Sequence, residues 1–557
     1  MKIALAQIDT TVADFDGNLA RIRCAYERAC ALGADIALFP ELALPGYPAG
    51  DLLYQADFVQ ANLRAVSTLA RGCGETAMLV GCVEPNRGPG KPLYNSAALL
   101  HRGRIAARRS KTLIPTYDVF DEGRYFEPAP SNAPILFKGR RLGVTICEDA
   151  WNDRDFWAKP LYGKDPVARL VKEGAELILN ISASPYSRGK PALRMRMIRS
   201  HLKKSRRPFF YCNLVGGNDE LVFDGNSLAL DARGRLVARA KSFAEDMVLS
   251  DTEAPGLPLG FSEPAESGGP EEIYHALVLG LRDYARKCGF RAAIVGLSGG
   301  IDSALVCALA ADALGPAHVL GVLLPSKYSS KGSVRDSLAL AKNFGVKTMT
   351  IPIGQLHEAG MRTLRKAGGT AARGGLVEQN LQARIRGMIL MALSNQRGAL
   401  LLSTGNKSEC SVGYCTLYGD MAGGLSVISD VPKTTVYELA RFINRGGERI
   451  PRACIEKAPS AELKSNQKDQ DDLPPYAVLD DIMRAYVERG LGPDAIVRRG
   501  HPRRVVSEVV ERIDRTEYKR RQAAPGIKIT VKAFGVGRRM PIARGRFRGS
   551  ARSNQST

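Results

Sequence analysis

A glycine-rich segment, Ile294–Val306 with the sequence IVGLSGGIDSALV, joins an apolar run to a stretch with helical spacing. Gly299 and Gly300 let the backbone approach an anion closely, and the helix that follows offers free N–H groups and a positive dipole end. The segment lacks the lysine with which a Walker-type loop neutralises the β- and γ-phosphates. We therefore expect it to hold the pyrophosphate leaving group of ATP in a reaction that forms an AMP ester.

Asp302 lies in this loop, where a bare carboxylate would repel the phosphates of a bound nucleotide. A Mg²⁺ ion would remove the conflict because it binds one or two carboxylates together with phosphate oxygens. Glu409, in the segment STGNKSE after a later predicted strand, is the natural second carboxylate. The sequence thus predicts a Mg²⁺ site at Asp302 and Glu409. Ser298 and Ser303 can add hydroxyl donors for the phosphates. The alternative is a glycine-rich turn that binds nothing.

A second set of candidate groups lies in the first half of the chain. Covalent amide hydrolysis needs a nucleophile, a base that activates it and a group that stabilises the oxyanion. These groups are offered by Glu41 in FPELALPGYP, Lys111 in RRSKTLIPTYDV and Cys147 in GVTICEDAW, whereas the six histidines lie outside such motifs. Taken singly, a strand-end cysteine is more commonly core packing, and a Glu or Lys is commonly solvated. Only the combination indicates chemistry.

The elements before residue 251 are typical of a layered α/β domain. Apolar and β-branched runs recur in KIALAQI, DIALFPE, AMLVGCVE, LGVTICED, ELILNISAS and PFFYCNLV, and several end in a polar motif. Amphipathic helical patterns such as GNLARIRCAYERACALG lie between some of them. We therefore expect the chemistry of this half at the ends of strands.

The elements after residue 272 alternate more regularly. In order, the patterns predict a strand at AAIVGLS, a helix at SALVCALAADALG, a strand at HVLGVLLPS, a helix at VRDSLALAKNFG, a strand at KTMTIPI, a long helix at EQNLQARIRGMILMALSNQRG and a strand at ALLLSTG. Repeated βα units predict a doubly wound, Rossmann-like parallel sheet. Ligands bind at the carboxyl ends of such strands, where SGGIDS, PSKYSS and STGNKSE fall.

The segment 251–272, DTEAPGLPLGFSEPAESGGPEE, is rich in proline, glycine and acidic residues and has no apolar periodicity. It predicts a linker. A chain of 557 residues exceeds what one hydrophobic core usually serves. We therefore expect one domain at residues 1–250, a second at 273–543 and a basic tail at 544–557.

Composition narrows the classes of function. Hydrophobic residues at 45% and charged residues at 24% are ordinary for a globular protein. The eleven cysteines form no C-x-x-C pair or zinc-site spacing, so a reducing cytoplasm is the simplest expectation. No apolar run approaches the length that spans a bilayer, and the N-terminus has no signal-peptide core.

The net charge of +22 favours anionic partners. The arginine-rich tail has no pattern of aromatic stacking residues, so we expect a solvated terminus and do not expect nucleic acid as a partner.

The loop SGGIDS resembles the signature of the ATP pyrophosphatases. EQNLQARIRG, STGNKSE, GYCTLYGDMAGG, DVPKT, PSAEL and DQDDLPPY resemble segments of NAD synthetases and, with the loop, span most of residues 290–476. In that family the carboxylate of deamido-NAD (nicotinic acid adenine dinucleotide) attacks the α-phosphorus of ATP, and ammonia then displaces AMP from the acyl-adenylate. The resemblance implies ATP and deamido-NAD as substrates, with Mg²⁺.

The resemblance also implies roles for individual residues. Those implied to bind ATP are Gly296, Leu297, Ser298, Gly299, Gly300, Ile301, Asp302, Ser303, Thr404 and Lys433. Those implied to contact deamido-NAD or the metal are Asn380, Glu409, Asp420 and Lys519. Considered alone, Asn380 could be a helix cap, Asp420 a turn former, and Lys433 and Lys519 surface charges.

An enzyme that uses ammonia gains from making it locally, because ammonia at neutral pH is mostly ammonium, which has no lone pair for attack. The Glu-Lys-Cys combination of the first half resembles the nitrilase superfamily in order and local context over about residues 1–250. That resemblance implies an α-β-β-α sandwich. It also implies Glu41 as general base, Lys111 as oxyanion stabiliser, Cys147 as nucleophile and Glu148 as supporting acid.

Three further residues resemble glutamine-binding positions of the glutamine-dependent NAD synthetases, and YCNLVGGNDELVFDGNS is also similar to that family. They are Tyr117, Ser184 and Lys190, for which the structural alternatives are a core tyrosine, a turn serine and a surface lysine. The sequence departs from the family at Thr116, Tyr186 and Asn218, where Asn, Phe and Gln are usual.

Together the resemblances imply glutamine hydrolysis at Cys147 and passage of ammonia through an internal tunnel to an adenylate above SGGIDS. They also imply a homo-oligomer, either a dimer or an octamer. Two alternatives stay open. The first pairs the nitrilase-like half with another amidation, such as that of a purine nucleotide. The second is a nucleotide-sensing RNA-binding protein on an inactive scaffold, which the net charge of +22 favours.

Overall fold

The computed structural model describes residues 1–252, 268–367 and 375–545. The chain divides into two compact units, Met1–Gly269 and Pro270–Thr557. The predicted linker and the predicted tail lie partly outside the described residues. The linker prediction was too long at both ends, because Asp251 closes a strand and a helix begins at Pro270. Proline at the first helical position, followed by Glu271 and Glu272, suits a helix N-terminus.

The first unit contains two six-stranded sheets. The first sheet has the order β14-β1-β2-β3-β4-β5, formed by β1 (Lys2–Gln7), β2 (Ile36–Leu38), β3 (Ala77–Pro85), β4 (Leu93–His101), β5 (Arg104–Ser110) and β14 (Asp246–Asp251). The second has the order β13-β12-β9-β8-β7-β6, formed by β6 (Ile135–Phe137), β7 (Arg140–Ile146), β8 (Leu177–Ser182), β9 (Phe209–Asn213), β12 (Leu228–Leu230) and β13 (Leu236–Arg239). A separate hairpin joins β10 (Val215–Asn218) and β11 (Leu221–Asp224).

Helices cover the outer faces of both sheets. They are α1 (Phe15–Ala31), α2 (Ala56–Arg71), α3 (Pro166–Lys172) and α4 (Lys190–Ser205). Leu5 of the first sheet and Val144 of the second share one buried apolar cluster, which forms the core between the sheets. Leu69 of α2 packs in a cluster on the first sheet, and Ile198 of α4 packs in one on the second. The predicted α-β-β-α sandwich is thereby confirmed.

The strand ends of this unit bring its candidate residues together. Strands β7, β8 and β9 are parallel, so the segments after Ile146 and Ser182 leave the sheet at the same edge. Cys147 follows β7 directly, and Lys111 follows β5 directly. Glu41 lies three residues beyond β2, whose last residue is Leu38.

The second unit is built on a five-stranded parallel sheet with the order β17-β16-β15-β18-β19. Its strands are β15 (Ala293–Gly296), β16 (Val319–Leu323), β17 (Lys347–Thr350), β18 (Leu400–Ser403) and β19 (Leu425–Ser426). The chain moves from β15 outward to β17 and then returns to the other side of β15, which confirms the doubly wound sheet. The crevice between the ends of β15 and β18 is therefore the topological switch point, where ligands bind in such sheets.

Helices surround this sheet and extend beyond it. They are α5 (Pro270–Lys287), α6 (Ile301–Leu314), α7 (Lys331–Phe344), α8 (Gly354–Lys366), α9 (Leu376–Arg397), α10 (Lys407–Val412), α11 (Lys433–Ile443), α12 (Arg452–Glu456), α13 (Tyr476–Met483), α14 (Pro493–Val497), α15 (Arg503–Arg515) and α16 (Glu517–Arg520). Ile385 of α9 packs on Ile294 and Leu401 of the sheet. A second apolar cluster joins α13 and α15 through Leu479 and Val509. In the part of the chain that is described, none of the helices is long and apolar enough to cross a bilayer.

Candidate active sites

The first candidate site is built around the almost fully buried Lys111. Its Nζ donates to Glu41 Oε1 at 2.7 Å and to both carboxylate oxygens of Glu122, at 2.8 and 2.9 Å. The Asn95 amide also donates to Glu41 Oε1, at 2.7 Å, and the backbone N–H of Ala183 donates to Glu41 Oε2 at 2.9 Å. Three donors from three segments therefore fix the position of the Glu41 carboxylate.

Burial and charge set the ionisation of this cluster. Burial raises the pKa of Glu122 to about 7, and the nearby Lys111 ammonium offsets part of that rise. Burial by itself favours neutral Lys111, but attraction by Glu122 and Glu41 raises the pKa of Lys111 well above its ordinary value. The lysine is therefore a cation at neutral pH, shared by two buried carboxylates.

Cys147 is the first residue of a short 3₁₀ turn, Cys147–Ala150, with φ of +41°. A non-glycine residue in this left-handed region costs on the order of 1–3 kcal/mol, a strain that clusters at functional sites. Asp149 holds the turn in place. Its Oδ1 accepts the backbone N–H groups of Thr112 and Leu113, both at 2.9 Å, and its Oδ2 accepts that of Ile146 at 3.0 Å. The thiol-bearing turn is thus tied to the segment that carries Lys111.

The Cys147 thiol is buried. Its burial, and next the negative charge of Glu41, raise the pKa of the thiol well above its ordinary value, with Lys111 acting in the opposite direction. Cys147 is therefore protonated at neutral pH. A nucleophilic thiolate can form only if a base takes the proton as attack occurs.

The next residue, Glu148, faces two tyrosine hydroxyls. Tyr117 donates to both of its carboxylate oxygens at 3.0 Å, and Tyr162 donates to Oε1 at 3.1 Å. Burial raises the pKa of Glu148, whereas the charges of Lys111 and Lys190 lower it. The structure therefore brings Glu148, Tyr117 and Lys190 into one electrostatic neighbourhood beside the thiol.

The three predicted glutamine-binding residues differ in their surroundings. Tyr117 is 42% exposed, so the alternative of a core tyrosine is wrong. Ser184 is buried after β8, and its backbone N–H donates to Asn213 Oδ1 at 2.9 Å. Lys190, at the start of α4, donates to the carbonyl oxygen of Pro185 at 2.7 Å, and its Nζ lies 5.4 Å from the centre of the Trp151 ring. The Lys190 ammonium is thus fixed by a hydrogen bond, unlike that of a freely solvated surface lysine.

The second candidate site begins with the glycine-rich loop between β15 and α6. Gly299 has φ of +77°, and a Cβ there would lie 2.5 Å from the backbone oxygen of Ser333. Both its backbone conformation and the available space therefore demand glycine. The hydroxyls of Ser298 and Ser303 lie 3.1 Å apart, and Ser298 Oγ accepts the backbone N–H of Gly300 at 3.3 Å. Hydroxyl and N–H groups thus cluster at the N-terminus of α6, as an anion site requires.

Two carboxylates converge on one lysine beside this loop. Lys433 Nζ donates to Asp302 Oδ2 in a short contact and to Glu409 Oε1 at 3.2 Å, and Lys433 is nearly fully buried. Asn406 donates to Asp302 Oδ1 at 2.9 Å and caps α10, whose third residue is Glu409. Lys433 is therefore a buried ion-pair partner, and the alternative of a surface charge is wrong.

Burial raises the pKa of Glu409 to about 8, although Lys433 acts to lower it. Attraction by Asp302 and Glu409 outweighs burial and raises the pKa of Lys433 above its ordinary value. The two carboxylates thus share the Lys433 ammonium as a common partner.

A cavity of about 290 Å³ opens at this edge of the sheet. The predicted residues that line it are Gly296, Leu297, Ser298, Gly300, Ile301, Asp302, Ser303, Thr404, Glu409, Asp420 and Lys433. Gly299, Asn380 and Lys519 do not line it. Gly299 belongs to the same loop, and the other two contact the segment 413–420.

The segment 413–420 links three residues that the resemblance associates with deamido-NAD. Asp420 Oδ1 accepts the backbone N–H of Thr416 at 2.7 Å, and Thr416 Oγ1 donates to Asn380 Oδ1 at 2.9 Å. Lys519 Nζ donates to the carbonyl oxygens of Gly413 and Cys415, at 2.8 and 2.7 Å. Asn380 lies inside α9, so the alternative of a helix cap is wrong. Asp420 is exposed at the cavity wall.

Sequence reasoning missed several residues that these sites contain. In the first unit they are Asn95, Glu122, Asp149 and Tyr162. In the second they include Arg386, Lys457 and Asp469, which line the cavity. Lys457 Nζ contacts Ser333 Oγ and Glu462 Oε1, both at 2.5 Å. A usable signal existed for Asp469, because it lies in DQDDLPPY, a segment that resembles NAD synthetases as a whole.

Comparison with known proteins agrees with this division of the chain. The carbon-nitrogen hydrolase family matches residues 2–254, and the NAD synthase family matches residues 273–523. A glutamine-dependent NAD(+) synthetase of Synechocystis sp. is 49% identical over 97% of this chain and 98% of that protein. The one from Thermotoga maritima is 43% identical, with the same coverage.

Solved structures agree at the level of the whole chain. A glutamine-dependent NAD+ synthetase of Acinetobacter baumannii in complex with adenosine diphosphate matches with a TM-score of 0.76 and 38% identity, over 97% of this chain and 98% of that one. A second, from Cytophaga hutchinsonii, matches with a TM-score of 0.82 and 22% identity over 97% of each chain, and supports the fold alone. Because these similarities extend over nearly the full length of both partners, the chain belongs to the glutamine-dependent NAD(+) synthetases, a family of ligases.

Proposed function

We propose that this chain amidates deamido-NAD to NAD, consuming ATP and glutamine and releasing AMP, pyrophosphate and glutamate. In this proposal residues 1–250 hydrolyse glutamine and residues 273–543 carry out the synthesis. The observation that carries the proposal is the presence of two different sites in one chain. The first contains the buried Cys147 thiol and the Glu41 carboxylate, which accepts a hydrogen bond from Lys111. The second contains the glycine-rich loop, which has no lysine and lies beside the carboxylates of Asp302 and Glu409.

For glutamine hydrolysis, we assign Cys147 as nucleophile and Glu41 as general base. Cys147 Sγ bonds to the amide carbon of glutamine while Glu41 takes the thiol proton, and that proton leaves with the ammonia when the carbon–nitrogen bond breaks. Lys111 is a buried cation that can stabilise the negative charge on the substrate oxygen. Water then cleaves the thioester to release glutamate and the free thiol.

For binding of glutamine, we assign Tyr117, Ser184 and Lys190, with Glu148 as an acid beside the nucleophile. Glu148 and Lys190 present opposite charges near the thiol, which suits a zwitterionic amino acid. The exposed ring of Tyr117 could cover the bound substrate while its hydroxyl keeps hold of Glu148.

For synthesis, we assign residues 296–303, Thr404 and Lys433 to ATP, and Asn380, Glu409, Asp420 and Lys519 to deamido-NAD or the metal. A carboxylate oxygen of deamido-NAD bonds to the α-phosphorus, and the bond from that phosphorus to pyrophosphate breaks. Ammonia then bonds to the acyl carbon, AMP departs and one proton passes to solvent. The loop residues and the N-terminus of α6 hold the leaving pyrophosphate, so a Walker lysine is not needed.

Asp302 and Glu409 fit a Mg²⁺ ion that arrives with ATP. Both are oxygen donors at the cavity wall, and both already contact the single Lys433 ammonium, so they can reach one cation together. When bound, Mg²⁺ neutralises charge on the phosphate oxygens. Lys433 would supply a further positive charge beside those oxygens.

The proposal is tested by NAD formation from deamido-NAD, ATP and Mg²⁺, with either glutamine or ammonium as nitrogen source. In Cys147→Ala we expect loss of the glutamine-driven reaction and retention of the ammonium-driven one. Cys212→Ala is the matched control, because Cys212 is another buried thiol of the same unit, located within β9. If intact protein forms no NAD from either nitrogen source, the proposed function is wrong.

We also propose that ammonia passes internally from one site to the other. An enzyme that consumes free ammonia, added to the reaction, should then compete poorly against glutamine-driven synthesis but effectively against synthesis from added ammonium. Equal competition in both reactions would contradict internal transfer.

Finally, we propose a cytoplasmic homo-oligomer, either a dimer or an octamer. Sedimentation of the purified protein distinguishes these states from a monomer, and cell fractionation tests the location. We attribute the high net charge to the binding of anionic small-molecule substrates, and we do not expect nucleic acid as a partner. Salt-sensitive RNA binding without ATP turnover would contradict that assignment.

A further inference from the structure

The N-terminus of α11 carries Lys433 as its first residue and depends on other helices for its hydrogen bonds. Its capping position is Pro432, whose side chain cannot accept a hydrogen bond. The backbone N–H of Lys433 donates to Ser408 Oγ of α10 at 2.8 Å, and that of Thr434 donates to Asp480 Oδ2 of α13 at 2.9 Å. The first N–H groups of a helix need such acceptors, because they have no partner within the helix.

Asp480 is the centre of this arrangement. Its Oδ2 also accepts the hydroxyl of Thr434 at 2.8 Å, and its Oδ1 accepts the hydroxyl of Ser408 in a short contact. The side chain is almost fully buried. One carboxylate therefore joins α10, α11 and α13, and it lies where the positive dipole end of α11 favours a negative charge.

The same three helices carry groups of the candidate ATP site. Glu409 follows Ser408 in α10, and Lys433 begins α11. Tyr476 lies one turn before Asp480 on the same face of α13, and its ring centre is 5.2 Å from Lys433 Nζ. A change in the position of Asp480 would therefore move the groups that surround the Lys433 ammonium.

We infer that Asp480 is a positioning residue that fixes the N-terminus of α11, and with it Lys433, beside Asp302 and Glu409 during the synthetase reaction, an inference that rests on the proposed function. An aspartate suits this role because an ionised carboxylate accepts hydrogen bonds on both oxygens. Here those oxygens meet three donors, namely the Ser408 hydroxyl and the N–H and hydroxyl of Thr434. An asparagine of the same shape would turn an NH₂ donor toward one side of this cluster.

The test compares Asp480→Asn with Asp481→Asn in ammonium-driven NAD formation. Asp481 is the next residue of α13, but its side chain is about one-third exposed and contacts His501, 2.7 Å away. For Asp480→Asn we expect kcat to fall by about 10- to 100-fold, because a small misplacement of a site group can cost that much. We expect near-wild-type kcat for Asp481→Asn and unchanged glutamine hydrolysis for both variants. Ser408→Ala removes one link of the same cluster and should give a smaller loss, which keeps the test open if Asp480→Asn does not fold.

A double-mutant cycle separates positioning of Lys433 from a general loss of packing. In a Lys433→Arg background the guanidinium is already misplaced, so adding Asp480→Asn should lower kcat much less than it does in the wild type. The inference is overturned if Asp480→Asn behaves like Asp481→Asn, or if its full effect persists in the Lys433→Arg background. If the wild type itself makes no NAD from ammonium, the proposed function has failed, and that result is distinct from either of these.

Discussion

Replacement of Lys111 by methionine tests whether this lysine compensates two buried charges. Lys111 is 1% exposed, and its ammonium contacts Glu41 and Glu122 at 2.7 and 2.8 Å. The variant keeps a long apolar side chain but leaves two carboxylates buried without their cation. Removing one partner of a buried ion pair costs about 3–5 kcal/mol. We expect Lys111→Met to lower the free energy of unfolding of the first unit by about that amount at pH 7.

The loss should depend on pH in a defined direction. Burial already raises the pKa of Glu122 to about 7 while Lys111 acts to lower it, so removal of the cation raises that pKa further. When a carboxyl group has a higher pKa in the folded than in the unfolded protein, the free energy of unfolding falls as pH rises from the unfolded pKa, about 4.3, through the folded pKa. The slope is about 1.4 kcal/mol per pH unit for each proton. Wild-type Glu122 has a pKa of about 7, so the wild type loses the same stability up to that pH. The deficit of the variant should therefore be nearly constant from pH 5 to pH 7 and should grow above pH 7.

Urea unfolding between pH 5 and pH 9, followed by tryptophan fluorescence, measures this loss. Both tryptophans of the chain, Trp151 and Trp157, lie in the first unit, so the signal reports on that unit. Lys138→Met is the matched control, because Lys138 forms a half-exposed pair with Asp35 at 2.7 Å. A surface pair of this kind contributes about 0–1 kcal/mol.

Activity provides a second readout. Lys111→Met should lose the glutamine-driven reaction and keep the ammonium-driven one if the second unit folds normally. The reasoning would be refuted if Lys111→Met unfolded at the same urea concentration as Lys138→Met over the whole pH range. It would also be refuted if the variant hydrolysed glutamine at the wild-type rate.

Further predictions concern both units. Gly299→Ala should raise the KM for ATP at least about 10-fold and leave glutamine hydrolysis unchanged. The loop must shift, because a Cβ at this position would lie 2.5 Å from the Ser333 carbonyl oxygen. An unchanged KM in steady-state assays would contradict this reasoning. Arg194→Met should lower the free energy of unfolding of the first unit by about 3–5 kcal/mol, because Arg194 and Asp224 form a fully buried bidentate pair at 3.0 Å. Tryptophan fluorescence in urea measures this, and a loss below about 1 kcal/mol would show that the pair is dispensable.

Much of the fold and of the loop site could be predicted from local sequence. The strand, loop and helix at residues 293–314 follow from an apolar run, two glycines and a helical repeat, and the structure places all three there. The carboxylates Asp302 and Glu409 each follow a strand of the parallel sheet, so topology alone implied that they would meet. Their common contact with Lys433 agrees with that expectation.

Other features required the tertiary structure because they depend on which buried groups face each other. The residue type of Glu122 gives no sign that its carboxylate shares the Lys111 ammonium, and a single acidic residue in sequence is more commonly solvated. Asp480 lies 72 residues from Ser408, and no local pattern relates the two. The pKa shifts of these groups likewise arise from burial and from charges on other segments.

The sequence by itself thus determined the two domains, the alternation of elements and the chemical types at the strand ends, because periodicity and residue type are local properties. Only the tertiary structure decided that Glu41 is held by three donors, that Cys147 lies in a strained turn tied to the Lys111 segment, and that one aspartate joins three helices around Lys433. These arrangements come from packing between distant segments, in which each buried polar group must find its partner.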